Sequence, residues 1–167
     1  MQKIIVFLFL STYCIAQSLG ISFGFSTSNS IFGDVFYLKD KSSFHFGYSS
    51  EINNATGKEV SEQKSNYGRT TNGRGNYFSS FDFGYGYNIY SNIRMNVEIS
   101  FASRKYYTNY IDGRFTGGGY HMITEEKYEL GIGGFVGYNI NNFDLFIGYN
   151  SVRKVGLGLR YIFKMGY

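Results

Sequence analysis

The sequence predicts an all-β fold, a closed antiparallel up-and-down transmembrane β-barrel of about eight strands. Three observations lead to this prediction: the composition, a two-residue alternation of apolar and polar residues, and an alternation of short and long connections. The 167 residues include 22 glycines, 17 tyrosines and 17 phenylalanines, but neither proline nor tryptophan. Aromatic residues favour strands, and the chain is poor in the Leu, Ala, Glu and Lys that fill helices.

Residues 1–16 have the features of a secretory signal peptide. An apolar run follows Lys3 and ends in small residues at Ala16, so we expect cleavage there. The run is too short to anchor the chain in a membrane. A lipidated Cys14 is the alternative, although the bulky residue before it fits such a processing site poorly. Cleavage would leave one domain, residues 17–167, without cysteine and therefore without disulfides or thiolate metal ligands.

The stretch FDFGYGYNIYSNIRMNVEISF, residues 81–101, shows the two-residue period clearly. Small or polar residues separate apolar ones, so each strand has one apolar face and one polar face. The apolar positions are Phe81, Phe83, Tyr85, Tyr87 and Ile89 and, after a turn, Ile93, Met95, Val97, Ile99 and Phe101.

The same period defines strands along nearly the whole exported chain. The first and third predicted strands alternate aromatic or aliphatic residues with Gly, Ser or His, and the last one places Val, Leu, Tyr and Phe opposite Gly and Arg. Only residues 31–38 break the pattern, because Val35 to Leu38 is apolar on both faces. The predicted strands are 19–27, 31–38, 43–51, 77–89, 93–107, 120–140, 143–150 and 155–163.

The connections between these strands alternate in length. Three are tight polar turns, at residues 40–42, 90–92 and 141–142, whereas 52–76 and 108–119 are long and rich in Gly, Asn, Thr and charge. With the N-terminus on the inner side, every long loop falls on the opposite side. Outer-membrane barrels have this arrangement, with short periplasmic turns and longer extracellular loops.

Lipid is the solvent that best suits the aromatic face. A soluble lipocalin-like barrel would also alternate, but its outside would need many Lys, Glu, Thr and Gln. The polar face here is mostly Gly, Ser and Asn, which suits the crowded lumen of a narrow barrel. A helical membrane protein is excluded, because no mature segment approaches about 20 consecutive apolar residues. A closed barrel then satisfies all backbone polar groups in hydrocarbon.

The last strand, with its glycine, alternating apolar residues and terminal aromatic, resembles the final strand of small OmpA/OmpX-type outer-membrane barrels, a porin-family or outer-membrane β-barrel domain. That resemblance covers nearly all of the mature chain. It implies localisation in the bacterial outer membrane, lipid and lipopolysaccharide neighbours, and recognition of Gly158, Tyr161 and Phe163 by the barrel-assembly machinery. The tail 164–167 departs from the pattern by extending past Phe163, although it still ends in an aromatic residue.

Inward-facing charges are expected to fill the lumen, because a barrel of about eight strands is only wide enough for its own side chains. Arg94, Asp144 and Arg160 should lie at similar depth near the periplasmic end, whereas Asp82 and Glu98 face each other and need a cation between them. A gated path for ions through these charges is the alternative, which single-channel conductance would reveal. The predicted polar network is His45, Asp82, Arg94, Glu98, Glu129, Asp144 and Arg160.

Catalysis at the outer rim is a weaker hypothesis. Some small barrels modify lipids, and such chemistry needs a nucleophile, a base and an orienting group close together. The nearest set is His121 with Glu125 and the loop hydroxyls of Thr108 or Thr116. No serine is fixed beside this histidine, so we expect no enzyme activity and no cofactor. The two histidines are too far apart in the sequence to suggest a metal site.

The predicted extracellular loop carries four cations, Lys58, Lys64, Arg69 and Arg74. These side chains suit the phosphates of neighbouring lipopolysaccharide, although a loop of this composition is also compatible with simple solvation. Loss of Lys3 leaves 15 basic against 12 acidic residues, an excess too small and scattered for nucleic acid. The sequence therefore predicts a monomeric barrel with a structural or surface-interaction role.

Overall fold

A computed structural model describes residues 18–164 of the chain. The predicted signal peptide, its cleavage site and the last three residues lie outside this range. The strands are β1 Ser18–Ser26, β2 Ser30–Lys39, β3 Ser42–Glu51, β4 Lys58–Glu59, β5 Thr70–Asn88, β6 Ile93–Ile111, β7 Gly119–Ile140, β8 Phe143–Asn150 and β9 Lys154–Lys164.

Eight of these strands form a closed antiparallel ring, as the sequence predicts. Each pairs with its neighbour in the chain, β3 pairs with β5, and β1 pairs with β9 from Ser18 opposite Lys164 to Ser26 opposite Gly156. The two-residue β4 stands outside the ring and pairs in parallel with β7. Between residues 18 and 164 the chain has no helix long and apolar enough to cross a membrane.

The turns at residues 40–41, 89–92 and 141–142 lie at one end of the ring, together with both ends of the described chain. We call this the inner end. The connections at 27–29, 52–69, 112–118 and 151–153 lie at the outer end. Three neighbouring strands, β5, β6 and β7, are 19 to 22 residues long and extend beyond the others at that end.

The predicted loops 52–76 and 108–119 are too long, because residues 70–76 and 108–111 belong to the extended strands. Thr70 pairs with Ile111, and Arg74 pairs with Thr108. The Gly- and Asn-rich start of β5 looked like a loop, but cross-strand hydrogen bonding keeps it extended. Gly73 takes a left-handed φ of 89° where the β5–β6 register shifts, so glycine is needed for conformation and not for a free loop.

The outer surface of the barrel is an apolar belt. Phe83 is 48% exposed and Leu145 52% exposed, and most outward side chains of the eight strands are similar. Aromatic rings also pair across strands, as between Phe46 and Phe83 at 5.0 Å. A patch of this extent is not stable against water. The lipocalin-like alternative fails because its apolar face would have to point inward.

Inside the barrel, glycines make room for large rings. Phe36 lies over Gly20, and Phe146 lies over Gly158, where a Cβ atom on the glycine would collide with the ring. Phe32 and Phe135 are also buried inside. The apolar break predicted at residues 35–38 is thus resolved, since Val35 points outward while Phe36 and Leu38 point into the lumen.

Replacing Val97 with arginine should lower the free energy of unfolding by about 2–4 kcal/mol, the cost of arginine on the lipid face at the bilayer midplane. Val97 is the central outward residue of the belt on β6 and is 63% exposed. The control is Tyr90→Arg in an inner-end turn, where the same change should cost about 0–1 kcal/mol. Urea titration of protein folded in lipid vesicles measures both. Equally small effects would contradict a lipid-facing belt.

Candidate functional site

The lumen contains eight ionisable side chains, each less than a tenth exposed. They are the carboxylates Asp34, Asp82, Glu98 and Asp144, the guanidinium groups Arg94, Arg153 and Arg160, and the imidazole of His45. Charges in such a dry interior persist only when they are paired and hydrogen-bonded. They are arranged in two layers.

The inner layer joins two arginines through one carboxylate. Arg94 donates from Nη1 to Oδ2 of Asp144 at 2.9 Å, and Arg160 donates from Nη1 to the same oxygen at 3.4 Å. Arg94 also donates from Nε to Oδ1 of Asn88 at 2.7 Å. The guanidinium of Arg160 stacks 4.3 Å above the ring of Phe36. The structure therefore brings together the three residues that the sequence placed at one depth.

The outer layer is built around Arg153, which lies between Asp82 and Glu98. Its Nη1 donates to Oδ2 of Asp82 at 3.1 Å, and its Nη2 donates to Oε1 of Glu98. Asn150 donates to the same Glu98 oxygen at 2.7 Å. The guanidinium also lies 4.4 Å above the ring of Phe32. Arg153 is thus the cation that these two carboxylates need.

Sequence reasoning missed Arg153 because it lies in the β8–β9 turn, where cations usually face solvent. It also missed Asp34, which lies within the apparently apolar second strand and accepts a hydrogen bond from the Ser22 hydroxyl. The charge count could have indicated Arg153, because the two facing acids, Asp82 and Glu98, needed a basic residue from a nearby turn. His45, which was predicted, faces Glu98 with 3.2 Å between Nε2 and Oε2.

Glu129 does not join the predicted network. It is half-exposed and accepts a 2.8 Å hydrogen bond from Nε of Arg104 at the outer mouth. Its strand neighbour Ala102 lies above the level of the buried layers. The two-residue alternation correctly predicted that Glu129 faces inward. It did not predict how far along the unusually long β7 the residue lies.

Above the ring, the extended strands and the connections 52–69 and 112–118 form a structured unit that we call the outer cap. Its centre is Tyr120, which is 0% exposed. The ring of Tyr120 stacks on Tyr110 at 5.1 Å and lies 5.0 Å from Phe115 and 5.5 Å from Tyr67. Its hydroxyl donates to the carbonyl oxygen of Gly68 at 2.6 Å. Both connections therefore pack on one aromatic core.

Asp112 joins the two connections by hydrogen bonds. It accepts from the backbone N–H of Gly68 at 2.8 Å and from Nε and the N–H of Arg114 at 2.8 and 3.1 Å. Arg114 also donates to the carbonyl oxygen of Asn66. The side-chain hydrogen bond from Arg114, followed by that from Gly68, holds the pKa of Asp112 well below its usual range. The same pairing raises the pKa of Arg114.

All four predicted surface cations, Lys58, Lys64, Arg69 and Arg74, are exposed in the outer cap. Within residues 18–164, none of their side chains forms a hydrogen bond or ion pair. Lys58 lies beside β7 at one edge of the extended sheet, whereas Arg69 and Arg74 lie at the β5 edge. The adjacent acid, Glu59, lies 3.9 Å from Lys105 and 4.0 Å from His121.

The residues considered for catalysis are not assembled. His121 is buried against the cap, with Nδ1 3.0 Å from the carbonyl oxygen of Thr56. Glu125 instead pairs with Lys127 at 3.2 Å. In the part of the chain that the structure describes, His121 has no hydrogen bond to Glu125, Thr108 or Thr116. The histidine holds the loop at residue 56 in place.

The residues of the predicted assembly signal lie on β9 near ring closure. Gly158 faces inward beneath Phe146. The rings of Tyr161 and Phe163 lie 4.8 Å apart, and Tyr161 lies 5.0 Å from Phe143. They form an aromatic group at the inner end of the belt. Recognition by the assembly machinery remains a prediction.

The fold is similar to those of solved outer-membrane proteins. Ail, the attachment invasion locus protein of Yersinia pestis, shares 15% sequence identity over 87% of this chain and 97% of its own, with a TM-score of 0.51. Ail in a phospholipid bilayer nanodisc has 14% identity, covers 88% and 99%, and also scores 0.51. Neisserial surface protein A has 15% identity, covers 89% and 95%, and scores 0.48.

No protein-family profile matches the chain, and no curated protein matches it in sequence. The similarity to Ail is therefore one of fold. At that level the predicted resemblance to small outer-membrane barrels is confirmed.

Replacing Arg153 with methionine should destabilise the barrel by about 3–5 kcal/mol, because two buried carboxylates lose their cation. Adding Asp82→Asn and Glu98→Gln should restore most of that loss, since no uncompensated charge then remains. Lys154→Met, at the neighbouring exposed cation, should change stability by less than about 0.5 kcal/mol. Denaturant titration in detergent micelles measures all three. If Arg153→Met and Lys154→Met were equally mild, the proposed charge balance would be wrong.

The cap should keep its Asp112 hydrogen bonds in acid. A carboxylate with a depressed pKa contributes stability above its unfolded pKa, and that contribution is lost only as pH falls through the folded pKa. Amide hydrogen exchange at Gly68 should therefore show unchanged protection from about pH 7 to about pH 3.5. Asp112→Asn should weaken this protection at every pH. A wild-type loss of protection centred on the usual value of 3.8 would contradict the assignment.

Proposed function

We propose that this protein is an outer-membrane barrel that acts through its outer cap, by binding phosphate groups on the saccharide part of lipopolysaccharide. The apolar belt and the ring of eight strands support an outer-membrane location, and the similarity to the Ail fold is consistent with it. The role that we propose is one of binding.

The observation that carries this proposal is whether the cations of the outer cap have acidic partners. Several other cations at the outer end have acidic partners, as Arg104 does with Glu129 and Lys127 does with Glu125. Among residues 18–164, Lys58, Lys64, Arg69 and Arg74 have no acidic partner, although the cap that carries them is joined by hydrogen bonds and ring contacts. Exposed cations held without counter-ions on a rigid support are suited to anionic ligands, because little ordering entropy is lost on binding.

The height of these cations indicates which part of the lipid they meet. Arg74 pairs with Thr108, seven residues beyond Phe101, the last aromatic of the belt on β6. At about 3.4 Å per residue and a tilt of about 40°, this places Arg74 roughly 18 Å above the belt. Arg74 therefore lies well above the boundary between the hydrocarbon layer and the lipid headgroups. Phosphates in the saccharide layer are therefore better matched than lipid headgroups.

The lumen supports a structural and not a conducting role. Arg153 lies between Asp82 and Glu98 and also stacks on Phe32, so side chains occupy the cross-section at this layer. At the inner end, a recess of about 170 Å³ has Arg94 in its wall, and that arginine is held by Asp144. An eight-stranded ring is expected to be filled in this way.

The double variant Arg69→Gln/Arg74→Gln should weaken binding of phosphorylated core oligosaccharide by about two- to thirtyfold, because each screened surface pair contributes about 0.2–1 kcal/mol. The folded protein in zwitterionic micelles is titrated with de-O-acylated oligosaccharide by calorimetry. The wild-type affinity should also fall as salt concentration rises.

The matched control is Lys39→Gln/Lys41→Gln, which removes the same charge at the inner end, where both side chains are exposed. It should leave the affinity unchanged, and dephosphorylated oligosaccharide should not bind the wild type. Equal losses in the two double variants would mean that net charge alone drives binding. Unchanged affinity in the cap variant would contradict the proposal directly.

A further inference from the structure

We propose that Asp34, His45 and Glu98 form a binding site for one divalent first-row transition-metal ion inside the barrel. Each offers one donor atom, and the three atoms lie within 4.8 Å of one another. Nε2 of His45 is 3.2 Å from Oε2 of Glu98. Two donors on one zinc ion, each about 2.0–2.2 Å from it, lie about 3–3.5 Å apart. A small movement of the Asp34 carboxylate towards the other two donors would complete a three-residue metal site.

Two buried donor atoms at this point have no hydrogen-bond partner among the described residues, namely Oδ1 of Asp34 and Nδ1 of His45. Both side chains belong to residues that are more than nine-tenths buried. Burying such atoms unpaired is costly. An ion held by Nε2 of His45, the nitrogen that faces Glu98, would use Oδ1 of Asp34 but not Nδ1 of His45, so the unpaired Asp34 oxygen is the atom that favours a ligand here. Glu98 has divided roles, since its Oε1 accepts from Arg153 and Asn150 while its Oε2 faces His45.

The charge balance of the lumen points to the same place. Four carboxylates face three arginines, which leaves one negative charge when His45 is neutral. Arg94 and Arg160 offset Asp144 and Asp34 in the inner part. Arg153 alone offsets Asp82 and Glu98, so the missing positive charge belongs beside Glu98. A divalent ion bound there by neutral His45 would change the net lumen charge from one negative to one positive, whereas a proton on His45 would bring it to zero and is the competing solution. The charge count therefore favours a cation beside Glu98, and the donor geometry is what favours a metal ion.

The strands position these donors by cross-strand pairing. Asp34 is opposite Gly47, and His45 is opposite Gly84, which in turn is opposite Glu98 on β6. A Cβ atom at Gly47 would collide with Asp34, and one at Gly84 would collide with the imidazole. The pairing therefore places His45 and Glu98 in one cross-strand row and Asp34 in the adjacent inward-facing row, with glycines leaving room for the donors.

The donor set indicates the class of metal. One imidazole nitrogen with two carboxylate oxygens suits zinc and its first-row neighbours better than calcium or magnesium, which prefer oxygen alone. The sequence did not suggest this site, because only one of the two histidines takes part. The acids come from β2 and β6, 64 positions apart in the chain.

Zinc binding by the untagged protein in detergent micelles tests the proposal. Protein is folded with ZnCl₂, dialysed free of unbound metal, and measured by mass spectrometry for zinc and by absorbance for protein. We expect one zinc per chain in the wild type and at least a hundredfold weaker binding in His45→Gln and Asp34→Asn. The matched control is His121→Gln, which alters the only other histidine and should retain the zinc.

X-ray absorption of the zinc-loaded wild type gives a second test that does not depend on the variants folding. The expected spectrum has one imidazole nitrogen, with oxygen ligands at about 2.0–2.2 Å. A wild type that retains no zinc would contradict the metal site. Zinc lost in His121→Gln, or a spectrum with two imidazoles, would place the metal elsewhere. Each of these results would overturn the site.

Discussion

Closure of the strand ring is the constraint on which the rest of this structure depends. In hydrocarbon, every backbone N–H and C=O must find its partner within the protein, and an open sheet edge would leave a row unpaired. The β1–β9 ladder removes that edge along nine residue pairs. Eight strands then fix a narrow interior, and the two-residue period sends one face of each strand to lipid and the other to the lumen.

A narrow lumen makes charge compensation the next requirement. Seven buried acidic and basic groups cannot each keep a hydration shell, so they share partners: Asp144 serves two arginines, and Arg153 serves two acids. Such networks are weak contributors to net stability, but removing one member is costly. The lumen is therefore better viewed as a plug of matched charges.

The sequence was informative where one physical period dominates. The two-residue period runs through residues 81–89 and again through 93–101, and the strands there match their predicted ends to within one residue at the turn between them. It was less informative where pairing continues beyond the lipid, since the Thr, Asn and Gly at the start of β5 have no burial pattern. Arg153 and Asp34 were missed for a related reason. Their roles depend on which residues meet across the lumen, and the two-residue period describes a face without giving its depth.

The outer cap is stabilised by different interactions from the barrel below it. Tyr120 and its aromatic neighbours provide a small core, and Asp112 joins the connections above it, so these contacts involve neither the lipid belt nor the lumen charges. Substitutions at Lys58, Lys64, Arg69 and Arg74 touch none of those contacts. The proposed binding surface can therefore change while the barrel stays the same, which is the separation expected of a scaffold that carries its function on loops.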